Sequence, residues 1–407
     1  MPQTFVIIGA SLAGATAAIT LRDEGFDGRI VLVGAESDLP YERPPLSKAY
    51  LRGEAPFDKA LVRPPDEYDE RRIELRMGTR VRRIDPESHA VELEGGERLA
   101  YDAVLVATGG RNRRLPIPGL DLEGVYALRT RADADRIRGE IAPGRTAVVV
   151  GMGFIGSEVA ASLRASDVAV TAIEPASAPL VRVLGDEIGA AIARLHQDHG
   201  VRTVFGDTVV RFEGDGRVSR VVTKNGETID CDFAVVGVGI EPATEVVSGT
   251  SVAVDNGIVV DEFCRTNADG VFAAGDVASH FHPVFGRRMR VEHWQNALKQ
   301  GAAAARSMMG KGLPYDEVHW FWSDQYDLNI QYAGFHTSWD QLVIRGSLDA
   351  RDCIAFYMNG GRIDAAVAFN RARDIRRTMP LIKQRRPVDV DRLRDADVDL
   401  RTLGRAE

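Results

Sequence analysis

The sequence predicts an α/β protein in which two parallel-sheet βαβ domains precede a smaller C-terminal α+β domain. Three observations predict it. A short apolar strand enters a glycine turn and an alanine-rich helix at Gly9 to Gly14. The same unit recurs at Gly151 to Gly156. Beyond Pro314 the composition shifts to clustered tryptophans and alternating apolar and polar residues.

Each element follows in order. Phe5, Val6, Ile7 and Ile8 form an apolar run suited to a strand buried on both faces. The Ala-rich stretch 13–22 has helix composition, Gly25, Asp27 and Gly28 end it, and residues 29–33 are the next strand. In the second copy, residues 147–150 lead into the turn, 157–165 read as helix and 168–173 as strand. Two copies of one βαβ unit imply two mononucleotide-type folds rather than a solenoid. The runs 103–106 and 234–236 each meet a glycine turn, and Pro116, Pro118 and Gly119 mark a crossover. Trp320, Phe321, Trp322 and Trp339 open the C-terminal region, and the tail from Arg371 is rich in arginine and aspartate. The expected domains are 1–112 with 241–316, then 113–240, then 317–407.

Composition narrows the function classes. The chain has 407 residues, 44% hydrophobic and 27% charged, which is ordinary for a globular protein of several domains. A net charge of -8 argues against generic nucleic-acid binding. The N-terminus, Met1-Pro2-Gln3-Thr4, lacks a basic region followed by a long apolar stretch, so no signal peptide is expected. No apolar run approaches a bilayer span, and a cytoplasmic location is expected. Cys231, Cys264 and Cys353 lie far apart with no C-x-x-C, so neither a disulfide relay nor a zinc site is readable. No metal site is expected.

The turn Gly151-Met152-Gly153-Phe154-Ile155-Gly156 fits the dinucleotide fingerprint. Its first glycine permits the tight turn, its second lets a pyrophosphate approach the backbone, and its third permits close helix–strand packing. Glu174, ending the next strand, would accept hydrogen bonds from ribose hydroxyls and repel a 2′-phosphate. NAD is therefore the expected second cofactor, with a solvated strand-end acid as the bland alternative. The first copy, Gly9-Ala10-Ser11-Leu12-Ala13-Gly14, has Ser11 in place of the second glycine, and after its second strand Ala35 precedes the acid Glu36.

The segment Pro40-Tyr41-Glu42-Arg43-Pro44-Pro45-Leu46-Ser47-Lys48 resembles the flavin-contacting loop of NADH-dependent ferredoxin reductases, of the putidaredoxin-reductase and aromatic-dioxygenase-reductase type. The resemblance continues through Leu105-Val106-Ala107-Thr108-Gly109, Phe272-Ala273-Ala274-Gly275-Asp276, Glu292-His293-Trp294-Gln295-Asn296-Ala297 and Trp320-Phe321-Trp322-Ser323-Asp324-Gln325. It covers nearly the whole chain. It implies two Rossmann-like domains in a glutathione-reductase-like architecture, FAD in the first fold, NADH in the second, and a C-terminal domain covering the flavin. It places Gly9, Ser11, Ala13, Gly14, Glu36, Arg43, Pro45, Val81, Ala107, Thr108, Gly109, Arg129, Asp276, Glu292 and Trp294 at FAD. Gly151, Gly153, Ile155, Gly156, Glu158, Glu174 and Gly239 fall to NAD. Lys48 matches the lysine beside the flavin ring and Glu158 the acid facing the nicotinamide, and a Lys48–Glu158 pair across two domains is expected. Trp322 packs near the flavin or is a plain core tryptophan.

An acidic ferredoxin is the expected partner of a chain read as a monomer or weak homodimer, and it would need a local basic patch. Arg287, Arg288 and Arg290 form one candidate, and Arg371, Arg373, Arg376 and Arg377 another, each also readable as solvated arginines. His196, His199 and His293 read as structural residues on helices. Two other functions stay open: reduction of a small acceptor such as monodehydroascorbate or oxygen, and an NADH-sensing protein similar to apoptosis-inducing factor.

Overall fold

The computed structural model describes residues 3–404, so Met1, Pro2 and 405–407 lie outside the described residues. The chain divides into two compact units. One runs up to Glu42 and adds Ala60–Arg111 and Glu241–Phe321. The other comprises Arg43–Lys59, Asn112–Ile240 and the chain from Trp322 onward.

The first unit holds a five-stranded parallel sheet in the order Val271–Ala273, Ala103–Val106, Thr4–Ile8, Arg29–Val33, Ile73–Arg76. Val6 pairs with Val31 on one side and Val104 on the other. Side chains alternate across the sheet. Phe5 and Ile7 join a core with helix Leu12–Asp23 and helix Trp294–Met308. Val6 and Ile8 join another with Val81, Ile84 and Val91 of an antiparallel sheet on the opposite face. The two helices pack closely because small residues meet: a Cβ on Gly301 would stand 2.4 Å from Ala13 O.

The second unit repeats the plan. Its parallel sheet has the order Arg202–Phe205, Ala169–Glu174, Thr146–Val150, Phe233–Val236, Val125–Tyr126. Helix Phe154–Ala165 follows the central strand, and an antiparallel sheet of Val209–Glu213, Arg220–Thr223 and Thr228–Asp230 lies beside it. The C-terminal region adds a five-stranded sheet in the order Trp320–Gln325, Leu328–Gly334, Arg362–Phe369, Asp352–Asn359, Gln341–Ser347, covered by helix Ala372–Gln384. This sheet docks on helix Val181–Asp198, where Tyr357 Oη donates to Leu184 O at 2.7 Å. Gly185 kinks that helix with φ +80, and a Cβ there would stand 2.8 Å from the Trp339 ring.

The fold class is the one the sequence predicts, but the grouping differs from the expected domains. Segment 43–59 joins the 112–240 fold rather than the first unit, and so does the C-terminal region. Both are tied down by buried polar contacts to helix Phe154–Ala165: Ser162 Oγ donates to Ser47 O at 2.6 Å, and Ser323 Oγ donates to Glu158 Oε1 at 2.7 Å. His196 lies on a helix as expected, whereas His293 precedes one, at its N-cap.

Burial lowers several imidazoles far below their ordinary range: His196 to about 4, His280 to about 3, His293 to about 4, and His319 well below it. Unfolded histidine titrates near ~6.5, so between ~6.5 and these values the unfolded chain binds more protons. Stability is full above ~6.5 and falls with acid, each such histidine adding up to about 1.4 kcal/mol per pH unit. Thermal melts should show this loss from pH 7 to 5, with a shallower slope in His196→Gln. Equal slopes in both proteins would contradict it.

Candidate functional site

In the second unit the fingerprint turn is locked by backbone contact. A Cβ on Gly156 would stand 1.9 Å from Gly151 O, and Gly151 has φ +90 with its own Cβ position 2.5 Å from Gly237 O. Neither position tolerates a side chain. Gly153 is different: a Cβ there meets nothing within 4 Å. The middle glycine therefore faces open space at the start of helix Phe154–Ala165. That helix has no side-chain cap and no acid in its first turn. Its orphan amides and positive dipole end are left for an anion. By contrast, helix Arg131–Glu140 is closed by a capping box of Thr130 and Asp133.

The first unit has the same construction. A Cβ on Gly14 would stand 1.9 Å from Gly9 O, and Gly9 has φ +108. Ser11 is the N-cap of helix Leu12–Asp23, yet its side chain caps no amide of the helix, and the first turn holds no acid. Ser11 Oγ lies instead 3.5 Å from Tyr41 O. Ala13 faces Gly275, whose Cβ position is 3.1 Å from the Ala13 methyl. Glu36 is half-buried near the end of the second strand and accepts from Tyr41 Oη. Thr108 Oγ1 donates to Ala243 O at 2.6 Å, fixing the turn that Ala107 opens and Gly109 completes with φ +67. Val81 is buried at the start of its strand.

Lys48 and Glu158 meet, and they do so inside one unit rather than across two. Lys48 Nζ lies 2.6 Å from Glu158 Oε2, and the two side chains are 14% and 3% exposed. Ser47 Oγ donates to the same oxygen at 2.5 Å. Pro44 and Pro45 pre-set the backbone of the short 3-10 helix Pro44–Ser47, which delivers both groups. Arg43 donates to the Arg129 carbonyl in the same unit. Ser323 was not singled out by the sequence. Its partner lies 165 residues away, so no local pattern announces it.

Several other residues behave differently from the simplest expectation. Glu174 already accepts two backbone N–H groups, from Met152 at 2.7 Å and Ala176 at 3.0 Å, which pins its carboxylate beside the glycine turn. Ile155 is 47% exposed in the first turn of its helix. Gly239 has φ +97 and open space at its Cβ position. Asp276 sits on a short 3-10 turn, and its carbonyl accepts from Arg290 Nη1 at 3.2 Å. Trp294 starts its helix, half-buried, near Glu42, whose carboxyl is raised by burial against the opposing pull of Trp294 and Arg63. Trp322 is half-exposed on the face of its strand opposite Phe321 and Ser323, so it is not a plain core residue.

The first arginine cluster is not a uniform patch. Arg290 is 11% exposed and bonds Glu292 at 2.6 Å. Arg288 donates to Val260 O at 2.8 Å and Ser279 O at 2.5 Å. Arg287 and Arg288 are both exposed on this strand. In the second cluster Arg371 pairs with Asp352 at 2.7 Å, while Arg373 and Arg376 are exposed beside an open cleft of about 430 Å³ also lined by Arg377, Pro380 and Arg401. The three cysteines are buried and free. Among the described residues no helix is long and apolar enough to cross a membrane.

Comparison with known proteins follows this geometry closely. Residues 3–301 match the model of the pyridine nucleotide-disulphide oxidoreductases, and residues 320–404 match a reductase C-terminal domain. The chain is 38% identical to rhodocoxin reductase of Rhodococcus erythropolis, over 98% of this chain and 94% of that one. It is 41% identical to the ferredoxin–NAD(+) reductase component of the anthranilate 1,2-dioxygenase system of Burkholderia cepacia, over 98% of each. The reductase in the crystal structure of the covalent putidaredoxin reductase–putidaredoxin complex superposes with a TM-score of 0.95 at 35% identity, covering 98% of both chains. With both glycine turns and the C-terminal sheet inside these matches, the chain belongs to the pyridine nucleotide-disulphide oxidoreductase family.

Proposed function

We propose that the chain is an FAD-dependent NADH:ferredoxin oxidoreductase, serving a cytochrome P450 or a ring-hydroxylating dioxygenase through a [2Fe-2S] or similar ferredoxin, in the cytoplasm. The observation that carries this reading is the pair of uncapped helix N-termini, one in each unit, each cornered by glycines that admit no side chain. Such a cradle fits a diphosphate, and two cradles fit two dinucleotides. The relatives named above support ferredoxin as acceptor.

FAD is assigned to the first unit, with its diphosphate over Ser11, Ala13 and Gly14 and its ribose at Glu36. On the resemblance, Arg43, Pro45, Lys48 and Arg129 are also assigned to FAD. NADH is assigned to the 113–240 fold, its diphosphate over Gly153. Glu174, held by two backbone amides, presents a fixed negative charge that disfavours a 2′-phosphate. A flavin held there would supply two-electron acceptance from a nicotinamide and one-electron delivery to a ferredoxin. The protein's own residues orient, and they place charge. Lys48 brings one positive charge into a largely dry site, and Glu158 fixes its ammonium at a defined point. Ser47 and Ser323 occupy the two carboxylate oxygens and hold that point still. Family members that relay electrons through a disulfide need neighbouring thiols. Here burial pushes the Cys231 thiol up to about 12 and the Cys353 thiol up to about 11, and raises that of Cys264. Electrons therefore leave to an outside acceptor.

Three measurements test the reading. FAD-loaded protein should reduce cytochrome c with NADH many times faster when a 2Fe ferredoxin is added. Protein that stays colourless with FAD, or a rate indifferent to every ferredoxin, would refute it. Glu158→Gln keeps the shape but leaves the ammonium unpaired. Stopped-flow flavin reduction by NADH should slow at least tenfold, about 1.4 kcal/mol of barrier, with flavin content unchanged. An unaltered rate would remove Glu158 from the site. For docking, Arg287→Glu and the double variant Arg373→Glu/Arg376→Glu spare the pinned Arg288 and Arg290. One of them should lower ferredoxin reduction severalfold while NADH-to-ferricyanide activity holds. Equal loss of both activities would argue against a docking role.

A further inference from the structure

The first unit contains a group of buried histidines that the proposed reaction does not use. In strand Ala278–His282, His280 and His282 stand two residues apart and so share one face. The neighbouring antiparallel strand Arg287–Arg290 sets Met289 directly opposite His280. His319 reaches the same point from just before strand Trp320–Gln325, with Nε2 3.2 Å from Met289 Sδ. His280, His282 and His319 are 1%, 0% and 0% exposed. One ring nitrogen from each lies within 4.8 Å of the others.

Their hydrogen bonding is incomplete in a telling way. Neither ring nitrogen of His280 has a partner among the described residues, and neither does His319 Nδ1. A buried polar atom left this way carries the full cost of losing its water. A pocket that needed only apolar packing would be better filled by phenylalanine or leucine. His282 Nε2 lies 2.9 Å from Glu317 O, and a carbonyl can only accept, so Nε2 carries the proton and Nδ1 the lone pair. A backbone carbonyl fixing the tautomer in this way is the usual support of a metal-bound histidine.

We propose that His280, His282 and His319, with the Met289 thioether as fourth donor, form a binding site for cuprous copper. Three imidazoles and a thioether are borderline to soft ligands, which suit Cu(I). All four donors are uncharged ligand types, and a cation lies close by, since Arg288 donates to the carbonyl of Ser279, the residue before His280. A dry neutral cage beside a positive charge disfavours a divalent ion more than a monovalent one, because the desolvation cost grows with the square of the charge. Three atoms no more than 4.8 Å apart surround a centre at most about 2.8 Å away, against ~2.0–2.1 Å for a typical metal–imidazole bond. Each ring need close by less than ~1 Å. The hairpin carrying two of the histidines is a surface feature, with Phe281 between them 38% exposed, so an ion has a short way in.

The test is an anaerobic titration of the FAD-loaded protein with Cu(I) buffered by bathocuproine disulfonate, read from the chelator's absorbance. The wild type should withhold one copper per chain, and X-ray absorption should show nitrogen neighbours with one sulfur. His280→Gln should weaken retention about a hundredfold and the volume-conserving Met289→Leu about tenfold, with circular dichroism and the flavin spectrum unchanged. If His280→Gln fails to fold, Met289→Leu and the sulfur shell decide. Copper taken wholly by the chelator, a copper site without sulfur, retention unchanged in Met289→Leu, or tight Zn(II) binding with Cu(I) excluded would each overturn the proposal.

Discussion

Both parallel-sheet folds depend on one steric constraint: the first glycine of each turn presents its carbonyl where the third glycine would carry a side chain. A Cβ at Gly14 or Gly156 would come within 1.9 Å of that oxygen. Satisfying this contact brings each helix close over the end of its strand and aims the free amides of its first turn outward. The sheet registers, the small-residue packing of Ala13 on Gly301, and the carboxylates at the strand ends are all set relative to that corner.

A second organising centre is the Glu158 carboxylate. It is almost fully buried and gathers Ser47, Lys48 and Ser323, each more than a hundred residues from it in sequence. Buried ion pairs are weak sources of net stability, because desolvation offsets most of their attraction. Their value lies in position, since a misplaced partner leaves a charge alone in a dry site. Glu158 thereby gives the segment 43–59 one way to lie, and fixes the strand that begins the C-terminal sheet to the same helix.

Local physics explains what could be read from the sequence. The glycine turns, the apolar parallel strands and the helices after them were legible because each rests on neighbours within about a dozen residues. The helices of the two turns begin one and three residues earlier than composition suggests, at Leu12 and Phe154. The grouping of 43–59 was not legible, since its anchor lies 110 residues on. Nor was the structural duty of Arg290, whose partners Asn256 and Asp276 lie 34 and 14 residues away in sequence. The histidine cluster shows the same limit. His280 and His282 stand in plain alternation, but Met289 and His319 join them only through strand pairing and a loop return. At Glu174 the strand-end position was legible and its backbone clamp was not.

The burial of all three cysteines reaches beyond fold stability. A thiol reacts through its thiolate, and burial suppresses that form at every one of these positions. An electron carrier working in air generates peroxide as a by-product, and accessible thiols are the usual first casualties of that leakage. This chain keeps all three of its thiols buried, so peroxide formed during turnover meets no exposed cysteine on it.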